Sequence, residues 1–250
     1  MLAAAKPVVL FVDTFNASVE TENAVAAVRV LRAGGYAVHV AHPGAGRAHF
    51  CCGRTMLAAG RVEAAKASAR ELVDALLPFA QRGIAIVGLE PSCLLTMRDE
   101  MLAMGFGADA ELLARHALLF EEFLAREVRA GRLELTLQPI AQRIVVHGHC
   151  HQKAFDAMSP VLDVLRLIPG AKPELIESSC CGMAGSFGYE AAHHEISMAM
   201  AELSLLPALR AAPDALVVAD GTSCRHQIAD GVQRQALHVA RVLADRLLPA

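Results

Sequence analysis

Short runs of consecutive apolar residues alternate along this chain with longer stretches in which apolar positions recur every three or four residues. The runs at 8–12, 36–41 and 84–89 are too short for helices and end on turn-forming residues, so they read as strands. Helical spacing covers 20–33, 60–81 and 109–130. Gly34 and Gly35 close the first of these and Gly131 the last, Arg29 and Arg32 sit where a helix dipole favours cations, and Pro78 should end or kink the middle one. Residues 133–140 read as a connection, after which the order restarts. Strands are expected at 144–147, 173–177 and 215–219, and helices at 159–168, 190–206 and 236–248. Strand and helix in alternation predict parallel sheets covered by helices. The expected fold is therefore α/β, with two pseudo-symmetric lobes, 1–135 and 136–250, that join within 131–142 and are related by a pseudo-two-fold.

The cysteines follow the same duplication. Cys51-Cys52-Gly53 recurs as Cys180-Cys181-Gly182; Cys93 matches Cys224, and Asp13 stands where Cys150 stands in the second half. Asp13 precedes Cys51 by 38 residues and Cys93 follows Cys52 by 41, against 30 and 43 in the second half. In a parallel sheet the residues beyond the carboxyl ends of the strands converge on one edge, and each cysteine is expected there. Neighbouring cysteines form a disulfide only through a strained ring, so a vicinal pair is better used as two ligands to a polynuclear centre. The glycine after it lets backbone pass close to that centre, and amides of a following helix would donate to it. Cys150, Cys180, Cys181 and Cys224 together offer the four thiolates that a 4Fe-4S cluster requires. In the first lobe Cys51, Cys52 and Cys93 have only Asp13 as a fourth, harder donor, which leaves a labile cluster, a zinc ion or nothing as the choices.

Composition narrows the class. A net charge of -3 without a basic cluster, 4% aromatics and no Trp exclude a nucleic-acid surface. No run approaches the roughly 18 apolar residues of a membrane span, and residues 1–7 do not resemble a secretory leader. The expectation is a cytoplasmic protein, any membrane association coming through partners. Seven cysteines in a reducing compartment point to metal or redox use. Cys93 taken alone would be an ordinary buried thiol. His147, His149, His151 and His226 flank ligand positions, with His149 and His151 the preferred pair for contacts around a cluster, and His193 and His194 read as helix surface. Gly182, Gly185 and Gly188 fit no phosphate-binding spacing and read as packing against the cluster. Glu121, Glu122 and the charges from Arg126 to Arg132 read as a solvated face, and Met198, Ala201 and Leu205 as helix core.

Several stretches resemble the cysteine-rich CCG proteins. They are Val12-Asp-Thr-Phe-Asn16, Gly88-Leu-Glu-Pro-Ser-Cys93, His147-Gly-His-Cys150-His-Gln-Lys-Ala154, Cys180-Cys-Gly-Met-Ala-Gly-Ser-Phe-Gly-Tyr-Glu190 and Asp220-Gly-Thr-Ser-Cys224-Arg-His-Gln-Ile228. That family includes the CCG-containing subunit of heterodisulfide reductase and the iron-sulfur subunits of glycolate oxidase and anaerobic glycerol-3-phosphate dehydrogenase. The nearest resemblance is to the C-terminal CCG region of FAD-linked D-lactate-type 2-hydroxy acid dehydrogenases, in which Asp13 in the first slot is usual. The resemblance implies Cys150, Cys180, Cys181 and Cys224 as cluster ligands and electron transfer from a reduced flavin toward a quinone or other acceptor. It implies as partners an FAD-containing dehydrogenase and a ferredoxin-type iron-sulfur unit, since the chain has no ferredoxin-type cysteine run and no flavin domain. Such a chain would not oxidise a hydroxy acid alone. It departs from the family at His49-Phe50 and Thr55-Met56, and Gln227 stands where heterodisulfide reductase has a fifth cysteine. Two other readings remain: a structural zinc or scaffold domain that docks a partner, and a thiol-disulfide enzyme using Cys180 and Cys181.

Overall fold

The computed structural model describes residues 6–43 and 49–248. Residues 1–5, 44–48 and 249–250 lie outside the described residues. The chain divides between Leu135 and Thr136 into two compact units.

The first unit runs β1 (Lys6–Phe11), α1 (Thr14–Ser18), α2 (Thr21–Ala33), β2 (Tyr36–Ala41), α3 (Arg54–Ala58), α4 (Val62–Gln81), β3 (Ile86–Gly88), α5 (Pro91–Thr96), α6 (Ala108–His116), β4 (Ala117–Leu119) and α7 (Phe120–Arg129). Its four strands lie in the order β2-β1-β3-β4, all parallel, with Val8 opposite Val38, Val9 opposite Ile86 and Gly88 opposite Leu119. The second unit runs β5 (Ile144–Val146), α8 (Cys150–Ala154), α9 (Met158–Leu165), β6 (Pro173–Leu175), α10 (His194–Glu202), α11 (Leu205–Arg210), β7 (Leu216–Val218), α12 (Thr222–Val232), β8 (Ala236–Leu237) and α13 (Val239–Ala244). Its sheet repeats the plan as β6-β5-β7-β8, again parallel, with Val146 opposite both Leu175 and Val218. The fold class is therefore the expected one, two α/β units built to one topology. In each, the strand order reverses between the first and third strands, and that switch point opens the crevice where parallel sheets bind ligands.

Four helical expectations need correction. Residues 109–130 are not one helix: Ala117, Leu118 and Leu119 form β4 beside β3, and α7 restarts because the Glu122 carboxylate accepts from the Leu119 amide at 2.9 Å. Residues 236–248 likewise begin as strand β8, and the His238 ring then caps α13 by accepting from the Ala240 amide at 3.0 Å. The 190–206 stretch opens with a 3-10 turn at Ala191–His193 and breaks again between α10 and α11. Pro78 does not end α4, which continues to Gln81 because Ala65, Ala69, Leu72, Leu76 and Ala80 anchor one face in the core.

The charges from Glu121 to Arg132 form a solvated face only in part, Arg126, Arg129 and Arg132 being exposed. Glu121 and Glu127 are buried. Glu127 accepts from Tyr36 Oη at 2.6 Å and from the Arg132 guanidinium at 2.7 Å, and Arg132, followed by Tyr36, holds its carboxyl down to about 2. A depressed carboxylate stabilises the fold above its unfolded pKa, and that contribution is lost as pH falls through the folded value. Glu127→Gln is expected to cost about 2 kcal/mol at pH 7, screening by solvent at half-exposed Arg132 keeping the figure modest. The gap from wild type should close between the ordinary carboxylate pKa and pH 2, as denaturant melts across that range will report.

Candidate metal centre

Each cysteine follows the carboxyl end of one of the first three strands of its unit. In the second unit β5 leads to His147 and into Cys150 at the start of α8, β6 leads to Cys180 and Cys181, and β7 leads to Cys224 on α12. The side chains meet. Cys180 contacts Cys150 and Cys181, and Cys181 contacts Cys224. Cys150 is exposed and Cys180 half-buried, whereas Cys181 and Cys224 are buried in the apolar cluster that also holds Met183, Ala201, Leu205 and Ile228.

The sulfurs share their protons unequally. Hydrogen bonds from Cys150 and then Cys181 hold Cys180 well below the ordinary thiol range, and Cys150, giving its proton that way, is pushed up. Cys181, bonded to Cys180 and then Cys224, is likewise pushed up. The bond from Cys181, with the His147 imidazole behind it, holds Cys224 low. These contacts favour the thiolate at Cys180 and Cys224, the form in which cysteine binds metal.

The vicinal turns are the same in both units. Gly182 N–H donates to Cys180 Sγ at 3.3 Å, and Gly53 N–H to Cys51 Sγ at 3.4 Å. Gly182 has φ +96° and Gly53 φ +85°. A Cβ on Gly182 would stand 2.0 Å from the Ser197 carbonyl oxygen of α10, and one on Gly53 would stand 2.6 Å from the Ala65 carbonyl oxygen of α4. What requires glycine at both places is a helix packed against the turn. Gly188 serves the same contact, its missing Cβ pointing at Ser197 Oγ and Met183 Sδ. No helix begins directly after Cys181: Phe187–Tyr189 is a 3-10 turn and α10 starts only at His194, so the expected helix amides exist only in the first unit, at α3.

The histidines divide by role. His149 is buried and caps α8, its Nδ1 accepting from the His151 amide at 3.1 Å, with the His151 ring stacked on it at 5.0 Å. Both rings lie about Cys150, with Nδ1 atoms 3.9 and 4.0 Å from its Sγ. His226 pairs through Nδ1 with Tyr189 Oη at 2.6 Å. His147 is buried, its Nδ1 3.0 Å from Ser178 Oγ.

Several supporting residues carry no sequence expectation. Gln152 accepts from the His149 amide at 3.0 Å and donates to Asp220 Oδ2 at 3.0 Å, tying the Cys150 and Cys224 segments together. Lys153 donates to the Ser178 and Ser179 carbonyls, bracing the approach to Cys180. Gln227 donates to the Ser197 carbonyl at 3.0 Å and so joins α12 to α10. The Gln at the third position after His149 was the available signal, since it completes a capping box.

In the first unit Cys51, Cys52 and Cys93 also meet in series. Asp13 is buried at the head of α1, where its oxygens accept from the Phe15 amide at 2.9 Å, the Asn16 amide at 3.2 Å and Asn16 Nδ2 at 2.7 Å. Burial and then the Glu90 charge push its carboxyl up to about 6. At Cys93 the hydrogen bond from Cys52 acts downward, but burial and the charges of Asp13 and Glu90 outweigh it and leave the thiol at about 11. Cys51 is pushed up by its bond to Cys52 and then by burial. Acidic neighbours here, against imidazoles in the second unit, make this trio a poorer source of thiolate.

The family pattern described as a cysteine-rich domain, CCG, matches residues 15–98 and 144–229, one match in each unit. The chain belongs to the CCG cysteine-rich domain family. Among curated proteins this CCG chain is similar to one subunit of the anaerobic glycerol-3-phosphate dehydrogenase of Escherichia coli K12, 28% identical over 198 residues that cover 79% of this chain and 49% of that one. It is similar to D-2-hydroxyglutarate dehydrogenase of Escherichia coli K12, 34% identical over 167 residues, and to that of Pantoea ananatis, 30% over 162, each alignment covering 64% of this chain and 15% of the relative. The CCG chain thus spans about half the length of the first relatives and a smaller part of the others. Among its described residues no helix is long and apolar enough to cross a membrane.

Proposed function

We propose that the chain is an electron-transfer module whose second unit holds a 4Fe-4S cluster on Cys150, Cys180, Cys181 and Cys224. The observation that carries this is the meeting of four cysteines from three strand ends in one partly buried site. The donor set suits iron and sulfide: it is all sulfur, its neighbours favour the thiolate at Cys180 and Cys224, and a buried imidazole lies beside them. When bound, such a cluster supplies one-electron transfer between a donor and an acceptor.

The protein's own residues hold, shield and balance the site. Cys181 and Cys224 set one side of it in apolar core, and Cys150 leaves the other near solvent, where a partner can approach. Lys153 brings a positive charge close to the sulfurs while bracing residues 178–179. The Gln152 to Asp220 bond fixes the separation of two ligand segments. Gly182 belongs to the site through the turn it shapes, and His149 and His151 by flanking Cys150. The first unit is assigned a docking and structural role, because Asp13 already spends its oxygens on the α1 cap.

The names of the relatives support a dehydrogenase setting. The partner inferred is an FAD-containing dehydrogenase of 2-hydroxy acids or a similar alcohol, which performs the hydride chemistry and delivers electrons singly, directly or through a ferredoxin-type unit. A quinone or other acceptor takes them onward. Protein purified anaerobically with iron and sulfide supplied is expected to be brown, with about four irons and four sulfides per chain. Stoichiometric zinc without sulfide would select a structural site instead, and a colourless chain that turns over disulfides would select the thiol enzyme.

A further inference from the structure

We propose that His147 is itself a metal ligand of the second unit, its Nε2 forming a nitrogen-sulfur set with the Sγ atoms of Cys181 and Cys224. His147, Cys181 and Cys224 are all buried and each presents a ligand atom within 4.8 Å of the others. The two ring nitrogens are treated differently. Nδ1 pairs with Ser178 Oγ at 3.0 Å, whereas Nε2 is buried, has no well-aligned hydrogen-bond partner among the described residues, and lies on the side of the Cys224 sulfur, whose thiolate the ring favours. A fully unsatisfied buried polar atom costs roughly 1–3 kcal/mol, and a poorly aligned contact with sulfur offsets only part of that, so a bond to an ion would satisfy Nε2 better.

The Ser178 contact completes the pattern. A ligating histidine ordinarily gives its second N–H to a neighbouring acceptor, which fixes the tautomer and aims the lone pair of the other nitrogen. Ser178 Oγ is that acceptor, and Lys153 pins the Ser178 carbonyl in turn. His149 is not equivalent, because its Nδ1 is engaged in capping α8. The inference rests on the cluster reading only in sharing Cys181 and Cys224 with it. With a cluster bound, the four cysteines would hold it and His147 would be a further protein donor on the Cys181 and Cys224 side; with a single ion, His147, Cys181 and Cys224 would share it.

Co(II) is the probe, added anaerobically to the metal-free full chain with 15N-labelled histidine, because it reports its ligands optically and by hyperfine coupling without cluster assembly. The wild-type chain is expected to show a strongly coupled histidine nitrogen. His147→Gln should lose that coupling and bind Co(II) at least about tenfold more weakly, and a change at the exposed His194, His194→Gln, should keep both. Coupling that survives in His147→Gln, a Co(II) site without a strongly coupled histidine nitrogen, or no Co(II) binding overturns the proposal. If His147→Gln does not fold, Ser178→Ala keeps the ring but frees Nδ1; a loss of about tenfold supports the assignment and an unchanged affinity overturns it. Iron and sulfide content of the same chain, reconstituted, separates the two readings. A cluster with no nitrogen coupling in the cobalt form sinks the histidine ligand alone, and nitrogen-coupled cobalt in a chain that assembles no cluster sinks the cluster alone.

Discussion

Serine in place of Cys181 is expected to strip iron from the second unit, lowering iron and acid-labile sulfide to less than about a tenth of the wild-type content. Cys181 is one of the two inner sulfurs of the series, in contact with both Cys180 and Cys224, and it is the buried one, 4% exposed. Its removal therefore breaks the set in the middle, where Cys150→Ser would alter only its solvent-facing end. A serine hydroxyl is a harder donor than thiolate, poorly matched to iron in a sulfide environment. It would also lie in a pocket of Ala201, Leu205 and Ile228, where an unpaired hydroxyl costs on the order of 1–3 kcal/mol. Cys52→Ser is the matched comparison, since Cys52 is 3% exposed at the equivalent position of the first unit and loses the same thiol at a similar packing cost. It should leave the iron content unchanged. Full iron in Cys181→Ser together with loss in Cys52→Ser would move the cluster to the first unit and overturn the assignment.

The convergence of the cysteines was legible because it depends on connectivity alone. Parallel strands aim their carboxyl ends at one edge, and the repeat put every cysteine beyond such an end. What the chain order could not show was which neighbours face the sulfurs. His149 and His151 stand beside Cys150 in sequence, yet α8 begins there and turns His149 into its cap. His147 sits further back, and its place among the sulfurs depends on Ser178, which follows a different strand, 31 residues on. The Gln152 to Asp220 bond likewise spans 68 residues. The strands β4 and β8 escaped notice for another reason: at three and two residues, they are too short to interrupt a helical period. The proline in α4 misled in the opposite direction, because tertiary packing of one face outweighed a single missing hydrogen bond.

Glycine at 182 offers the sharpest test of whether the fold or the cluster dictates this motif. Gly182→Ala is expected to destabilise even the metal-free protein by about 3–4 kcal/mol. The left-handed φ of +96° alone costs an L-residue roughly 1–3 kcal/mol. The added Cβ would also stand 2.0 Å from the Ser197 carbonyl oxygen and 3.0 Å from Gln227 Nε2. Neither neighbour can yield cheaply. Ser197 Oγ donates to the Gly182 carbonyl at 2.9 Å, and Gln227 Nε2 donates to the Ser197 carbonyl at 3.0 Å, so the turn, α10 and α12 are bonded together around this Cα. Relief requires the turn to back away from α10, and Cys180 and Cys181 move with it, so the variant should lose its cluster as well. Gly185→Ala separates strain from contact: φ is +70°, nothing lies within 4 Å of its added Cβ, and the expected cost is only about 1–2 kcal/mol with the cluster retained. Denaturant melts of both variants without metal decide the point. If metal-free Gly182→Ala is as stable as wild type and only cluster uptake suffers, the glycine is there to clear the cluster, and packing against α10 is not its reason.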